Sequence, residues 1–317
     1  MRRRRPVHVL EVGLTLPLET FLADKLDGLV SRGFEVTVSA AGDGGAPAAV
    51  GAVKLVPAPP PGESRAALLL AILKDALRLA VRRPGALAAT IRAARHPILE
   101  AAGNQLLQSL ARLRSYLPLA ALDPDIVHFE WPTGAIDLLP MASVWRCPTV
   151  VSCRGSNVNV LPHAPGSAPF RRALREVFER VDATHCVSEA IAAEAAALGM
   201  DPRRAWLIRP GVDTSFFSAA AGEARPDALP ASLRILSIGD LRWLKGHEYS
   251  VRAVALLRAQ GVAAELEIVG ADPSAAVGEA SDASRILAAI SRTGVGDHVK
   301  LLGRLSRVEV RGRLRAC

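Results

Sequence analysis

The sequence is poor in cysteine and in aromatic side chains. Among 317 residues there are four cysteines, and aromatic residues make up 4%. The cysteines are widely spaced and form no Cys-x-x-Cys pair, which argues against a disulfide framework or a redox motif and predicts free thiols, most of them buried. They are Cys147, Cys153, Cys186 and Cys317.

The sequence also contains no long apolar run, and its first residues are not expected to be a leader. No apolar run approaches the ~20 residues of a membrane span. Residues 1–5 are basic, but the apolar run at 7–12 is too short for a signal peptide. The formal net charge is +8, yet the arginines are not interleaved with aromatic residues, so nucleic acid is not an expected partner. These features predict a cytoplasmic protein.

The length and composition favour two α/β domains. A chain of 317 residues exceeds the usual size of one domain. Half of the residues are hydrophobic and 22% are charged, which is typical of a globular protein with large cores. Segments rich in Gly, Ala or Pro at 42–51 and 219–231 are expected to be surface loops.

The segment 235–270 carries the clearest pattern. An apolar run ends at Gly239, a polar turn containing Arg242 and Lys245 ends at Gly246, and an amphipathic helix and a second apolar run follow. This strand–loop–helix–strand order is the building unit of a parallel sheet. Open α/β sheets bind ligands beyond the carboxyl ends of their strands. Two cations beside a helix N-terminus therefore predict a diphosphate site.

This loop resembles the donor-site loop of retaining glycosyltransferases of the group 1 class, family 4. Similar matches occur in the same order at residues 17–21, 181–189, 209–213 (Arg-Pro-Gly-Val-Asp) and 301–304. Scattered matches in the right order over most of a chain are more specific than any one motif.

The resemblance implies an α/β architecture of the GT-B type, in which two Rossmann-like, doubly wound parallel-sheet domains face a cleft. The acceptor-side domain would span residues 1–213, with a helical insertion at 64–122, and a partial donor domain would span 214–317. The second domain is expected to be incomplete. In the family, the next strand is followed by a loop with two donor-binding glutamates, spaced eight positions apart, and this sequence stops before them. The chain is thus expected to be a fragment or a degenerate product.

The implied activity is transfer of a sugar from a nucleotide-diphosphate donor to a lipid-linked glycan or polysaccharide, with retention. Lys245 and Arg242 would be catalytic, stabilising charge on the leaving diphosphate. No metal or other cofactor is implied, since no His/Asp/Cys cluster has ligand spacing. Asp240 stands where family members often carry arginine and would repel a diphosphate, so Arg242 is expected to supply that charge. Donor-binding residues would be Gly239, Asp240, Lys245, Gly246 and Gly211.

Other residues are candidates for the acceptor side of the cleft. Arg154 stands where many family members carry histidine; it cannot act as a general base but can bind an anion. Three of the remaining candidates also have a structural interpretation, which is a plain turn for the glycine, a structural role for the histidine and a helix N-cap for the serine. These candidates are Gly13, His128, Glu130, Ser188 and Glu189.

The insertion at 64–122 is rich in leucine, alanine and arginine, and Pro84 and Pro97 divide it into about three helices. It is interpreted either as a basic amphipathic surface that holds the enzyme at the cytoplasmic membrane face, or as helices whose arginines are simply solvated. Its arginines are Arg65, Arg78, Arg82, Arg83, Arg92, Arg95, Arg112 and Arg114.

Two further functions stay open. One is a non-catalytic glycosyltransferase remnant that binds a membrane surface, and the other is a GT-B nucleotide-sugar epimerase.

Overall fold

The computed structural model describes residues 5–42, 53–60, 62–99, 103–218, 231–272 and 282–317. It divides into two compact units, Met1–Gly211 and Val212–Cys317. Apart from Gly42 and Ala231, the surface loops expected at 42–51 and 219–231 lie outside the described residues. No helix in the described ranges is both long enough and apolar enough to cross a membrane.

The first unit is built on a seven-stranded sheet. Its strands are β1 (His8–Thr15), β2 (Glu35–Ala41), β3 (Val53–Pro57), β4 (Ile126–Phe129), β5 (Thr149–Cys153), β6 (Ala183–Cys186) and β7 (Ala205–Leu207). They lie in the order β3-β2-β1-β4-β5-β6-β7, with every neighbouring pair parallel. The order reverses between β1 and β4, which is where open parallel sheets bind their ligands.

Helices cover this sheet. They are α1 (Thr20–Ser31), α2 (Arg65–Arg82), α3 (Pro84–Arg95), α4 (Gln105–Ala120), α5 (Pro132–Leu138), α6 (Ala142–Trp145), α7 (Ser156–Asn159), α8 (Ala168–Arg180) and α9 (Glu189–Ala197). The three helices predicted within 64–122 are confirmed as α2, α3 and α4. The core lies between the layers, where Leu10, Val127 and Val151 of the strands meet Phe178 of α8.

Two sequence expectations about helix and strand boundaries were wrong. The sequence pattern at 135–145 predicts a single helix, but α5 and α6 are separated by a 3-10 turn, Leu139–Met141. The reason is Pro140, which lacks the N–H that a continuous helix requires. The apolar run at 7–12 predicts a first strand that ends at Gly13, but β1 continues to Thr15, with an irregularity in its pairing between Glu11 and Leu14.

The second unit contains a three-stranded parallel sheet. Its elements are α10 (Thr214–Phe217), β8 (Leu233–Ile238), α11 (His247–Ala259), β9 (Ala264–Val269), α12 (Ala283–Thr293), β10 (Val299–Gly303) and α13 (Arg307–Ala316). The strand order is β10-β9-β8, and Val251 and Val254 of α11 pack on Leu266 and Ile268 of β9 in the core. The strand–loop–helix–strand unit expected at 235–270 and the α/β fold class are confirmed.

Candidate functional site

The loop between β8 and α11 has an extended, glycine-dependent backbone. Gly239 has φ +155°, and a Cβ added to it would lie 3.3 Å from Cδ of Lys245. The aliphatic part of the Lys245 side chain therefore runs directly over Gly239. The loop is fixed to the neighbouring strand because Gly239 N–H donates to Val269 O (2.9 Å) and Leu241 N–H donates to Ala271 O (2.8 Å).

The end of β9 is packed against the same loop. A Cβ on Gly270 would lie only 1.8 Å from the carbonyl oxygen of Gly239. Real Cβ atoms do not approach backbone that closely, so glycine is required here for close packing.

A buried histidine is hydrogen-bonded to the loop and to β8. His247, at the start of α11, is 2% exposed. Its Nε2 lies 3.0 Å from the carbonyl oxygen of Gly239, and its Nδ1 lies 2.8 Å from Oγ of Ser237. With Nε2–H donating to the carbonyl, Nδ1 accepts from the serine hydroxyl, and both ring nitrogens are satisfied. The sequence analysis missed His247, although its spacing from the buried Val251 and Val254 places it on the buried face of the helix.

Two cations are available on this loop. Lys245 and Arg242 are both exposed, and no carboxylate in the described part of the chain pairs with either. Gly246, with φ +70°, leads directly into the N-terminus of α11. The structure therefore brings together Gly239, Asp240, Arg242, Lys245 and Gly246 on one loop. Gly211 is not part of this loop; it is an exposed residue at the end of the first unit.

A second cluster of polar groups lies at the switch point of the seven-stranded sheet. Parallel pairing sets Glu11 of β1 opposite His128 of β4, and Ser152 of β5 opposite His185 of β6. Glu11 and Ser152 are fully buried. Side chains on one face of neighbouring strands lie close together, so register alone brings these groups into contact.

Lys25 of α1 joins this cluster. Its Nζ lies 2.7 Å from Oε1 of Glu11 and 2.6 Å from Nδ1 of His128, and it also donates to Oε1 of Glu130. An ammonium group has three N–H donors, and here three acceptors receive them. The side chain of Lys25 is one-quarter exposed, whereas Glu11 and Glu130 are buried. The lysine is thus a shared counter-ion of two buried carboxylates.

The contact with Lys25 sets the direction of a hydrogen-bond chain. Because an ammonium group only donates, Nδ1 of His128 accepts and carries no proton. Nε2–H of His128 then donates to Oγ of Ser152 (2.8 Å), and Ser152 donates to Nδ1 of His185 (2.8 Å). Finally, Nε2–H of His185 donates to the carbonyl oxygen of Ile208 (2.9 Å). Both histidines are therefore neutral in this arrangement, each with one defined tautomer.

Arg154 closes the cluster on its other side. Its Nη2 donates to Oε2 of Glu130 over 2.9 Å, and its guanidinium carbon lies 4.8 Å from the centre of the Phe21 ring. The predicted residues His128, Glu130 and Arg154 are thus brought together. The charge of Arg154 is already paired, so an incoming anion would compete with Glu130 for it.

The surroundings shift the pKa values of two side chains in this cluster, Glu11 and His185. Burial alone would raise the pKa of Glu11, but the contacts of its carboxylate with His128 and Lys25 outweigh burial and lower its pKa to about 2. Burial lowers the pKa of His185 below its usual value, which favours the neutral form that the hydrogen-bond chain requires.

Within the described residues, Glu11, His128 and Glu130 form a group whose ligand atoms could hold a metal ion, since these atoms lie within 4.8 Å of one another. The same three side chains instead contact Nζ of Lys25. The lysine ammonium takes the central position that a cation would need.

The other candidates make local contacts. Ser188 caps α9, with its Oγ accepting from the Ile191 N–H over 3.2 Å, as its structural interpretation requires. Glu189 is exposed and pairs with Arg209 at 3.3 Å. Gly13 has φ +81° and packs against Gly134, so close backbone packing accounts for the glycine.

The sequence analysis also missed Glu11, Lys25, Ser152 and His185. A signal was present for three cluster members. His128, Ser152 and His185 each occupy the penultimate position of a strand. Since parallel strands end at the same edge of a sheet, a repeated polar residue at that position predicts neighbouring side chains. Lys25 offered no comparable signal, because its helix reaches the sheet only through the tertiary fold.

Known proteins share the fold of this chain. The structure is similar to that of Anabaena HepE in complex with UDP and glucose (13% identity, TM-score 0.63, covering 98% of this chain and 72% of that chain). It is also similar to sucrose-phosphate synthase from Thermosynechococcus elongatus (14%, 0.62, 98% and 74%) and to a glycosyltransferase from Rickettsia africae (12%, 0.56, 96% and 70%). At these identities the likeness concerns the fold, which is of the GT-B type.

No curated protein matches the chain. The family profile of Glycosyltransferase Family 4 matches residues 18–216, which is more than half of the 317 residues. The chain therefore belongs to Glycosyltransferase Family 4.

Proposed function

We propose that the chain transfers a sugar from a nucleotide-diphosphate donor, with the diphosphate bound at the loop between β8 and α11. The observation that carries this proposal is the pair Arg242 and Lys245. Both are exposed and unpaired among the described residues, and both precede the N-terminus of a 13-residue helix. Helix N-termini and cations favour phosphate groups. The binding of UDP by HepE, which has a similar fold, supports the choice of ligand class.

The proposed chemistry is electrostatic. Lys245 and Arg242 stabilise the negative charge that develops on the leaving diphosphate, and the free N–H groups of α11 add to this effect. The negative charge of Asp240 opposes this stabilisation, because it repels the diphosphate. Arg242 is therefore proposed to supply the positive charge at this end of the loop. The reaction proceeds with retention, and the two side-chain cations act without a metal ion.

The acceptor is proposed to be a lipid-linked glycan or a growing polysaccharide, at the cytoplasmic face of the cell membrane. The cluster of Glu130, Arg154 and His128 is assigned to the acceptor side. Its charges are mutually paired, and this suits the binding of sugar hydroxyls, which accept and donate hydrogen bonds without adding charge. Ser188 and Glu189 stay secondary candidates for this side.

Donor binding is tested by calorimetric titration with UDP and with the other nucleoside diphosphates. Lys245→Ala is expected to weaken binding about tenfold or more, which corresponds to one lost charge-assisted hydrogen bond. The matched control is Lys300→Ala. Lys300 is exposed and lies near the amino-terminal end of β10, whereas the donor loop follows the carboxyl end of β8. Equal affinity of wild type and Lys245→Ala would contradict the assignment.

Transfer is tested with labelled sugar nucleotides and membrane glycolipid extracts. The anomeric configuration of the product, read by proton NMR, decides whether configuration is retained. Full activity in the presence of a chelator is expected. Arg154→Ala is expected to raise the KM for the acceptor while leaving nucleotide affinity unchanged; the opposite pattern would move Arg154 to the donor side. A sugar product formed without any acceptor would indicate epimerase chemistry instead.

A further inference from the structure

Helix α2 is anchored to the first unit by one narrow face. Leu79 on that face is fully buried, and Ile72 and Ala76 pack against the main core. Ser64 caps the N-terminus of the helix, with its Oγ accepting from the Ala67 N–H. The helix is therefore held in a fixed orientation, and its opposite face points away from the core.

The opposite face is apolar. Leu70, Leu73, Leu77 and Val81 are 68%, 65%, 64% and 78% exposed, respectively. Their spacing of three or four residues puts them in one row along the helix, about 17 Å long at 1.5 Å per residue. Leu69, 51% exposed, widens this row. Single exposed leucines are ordinary, but a contiguous row of this length marks an interaction surface.

A row of cations runs beside the apolar row. Lys74, Arg78 and Arg82 are spaced by four residues and are all exposed. Within the described residues, Lys74 and Arg82 pair with no carboxylate, and Arg78 has only a 3.7 Å contact with Asp75. Asp75 is also shared with Arg114, at 3.9 Å. The surface that covers α2 must therefore accept both apolar side chains and positive charge.

Pairing with a second copy of the chain satisfies only one of these demands. In an antiparallel two-fold pair of α2 helices, the two cationic rows would lie side by side and repel each other. In a parallel pair they would lie on opposite edges without counter-charges. An anionic lipid surface supplies both an apolar layer and negative headgroups in a plane.

We propose that α2 lies flat on an anionic membrane, with Leu70, Leu73, Leu77 and Val81 inserted between the headgroups. The row of Lys74, Arg78 and Arg82 contacts the lipid phosphates. The surface is separate from the loop between β8 and α11, so this proposal stands or falls independently of the donor site. It favours membrane contact over simply solvated helices as the interpretation of residues 64–122.

The test is co-sedimentation of the whole protein with vesicles. Wild type is expected to bind vesicles of equimolar phosphatidylcholine and phosphatidylglycerol, and to bind pure phosphatidylcholine at least about tenfold more weakly, since each cation near an anionic surface favours binding severalfold. Leu73→Glu/Leu77→Glu and, separately, Arg78→Glu/Arg82→Glu are each expected to reduce binding about tenfold or more. All four side chains are exposed, and circular dichroism melting checks that the variants stay folded.

Matched controls come from exposed residues on other helices. Leu256→Glu/Leu287→Glu and, separately, Arg252→Glu/Arg292→Glu make the same chemical changes on α11 and α12. Both are expected to bind vesicles like wild type. As a gain-of-signal check, Leu77→Trp is expected to show fluorescence quenching by brominated lipids that exceeds that of wild type.

Either of two results would overturn the proposal. One is equal binding by wild type and Leu73→Glu/Leu77→Glu. The other is a sedimentation experiment in which wild type is a dimer that this double variant dissociates, without any change in vesicle binding; the apolar row would then be an interface between copies.

Discussion

The backbones of Gly13 in β1 and Gly134 in α5 approach so closely that a Cβ added to either would lie 3.2 Å from the Cα of the other. This contact joins the irregular part of β1 to the first turn of α5, the helix that follows β4. It therefore sits beside the strand ends that carry Glu11 and His128.

Alanine at either glycine is expected to destabilise the first unit. Gly134→Ala should cost about 1–3 kcal/mol from overpacking. Gly13→Ala should cost more, because φ +81° is unfavourable for alanine as well. Urea unfolding measures both. Gly85→Ala on α3, where an added Cβ meets nothing within 4 Å, is the control and should be neutral or slightly stabilising. A neutral Gly134→Ala would show that the backbones can separate at no cost.

Removal of Lys25 should be among the most damaging single substitutions. Lys25→Met leaves Glu11 buried without its cation and leaves Glu130 with Arg154 alone. Breaking a buried ion pair costs about 3–5 kcal/mol. Adding Glu11→Gln is expected to recover part of the loss, because the carboxylate that lost its cation is gone. Lys54→Met is the control. Its pair with Glu35 is exposed, so it should change the free energy of unfolding by about 0–1 kcal/mol. An equally mild Lys25→Met would contradict the role of Lys25 as counter-ion.

Glu11 should make stability depend on acid pH. Its pKa falls from an ordinary 4.5 to about 2 in the folded chain. The ionised carboxylate therefore stabilises the fold fully above pH 4.5, and this contribution is lost as the pH falls through about 2. The difference in unfolding free energy between wild type and Glu11→Gln should shrink across that window. A difference that stays constant with pH would mean that the charge of Glu11 contributes nothing.

Protonation of His185 should affect the stability of the fold at higher pH than protonation of Glu11. Burial lowers its pKa below 6.5, so its neutral form contributes stability above pH 6.5 that is lost as the pH falls. NMR titration of the ring protons should therefore show a midpoint below 6.5. In Ser152→Ala the chain is interrupted, and His185 Nδ1 loses its hydrogen-bond donor. The midpoint is then expected to rise, because the neutral ring is no longer favoured by that bond. An unchanged midpoint would contradict a continuous chain.

Gly270→Ala should disrupt the second unit and its loop together. The new Cβ would lie 1.8 Å from the Gly239 carbonyl oxygen, so the loop must move, and affinity for nucleoside diphosphates should fall along with thermal stability. Gly261→Ala is the control for a glycine with positive φ (+80°) but no neighbour within 4 Å; it should cost about 1 kcal/mol and leave affinity intact. Normal UDP affinity in Gly270→Ala would show that the Gly239 loop does not form the site.

The sequence predicted what depends on local patterns. The unit from β8 to β9 and the helices α2, α3 and α4 follow from hydrophobic periodicity, glycine and proline. The sequence did not predict the cluster of polar side chains around Lys25. Glu11 and His128 are more than a hundred positions apart, and their contact depends on β1 lying next to β4 rather than next to another strand. The plain turn considered at Gly13 was wrong for a similar reason: β1 continues past this residue, and its packing against Gly134 depends on the tertiary fold.

The hydrogen-bond chain from Lys25 to Ile208 passes through the three strands β4, β5 and β6. His128, Ser152 and His185 each act as both acceptor and donor in it. A change at one position reverses or breaks the direction of every later bond. In evolutionary terms, the four side chains should behave as a single inherited character. Related sequences are expected to keep all of them or to replace them together, and a lone histidine retained from the set should be rare.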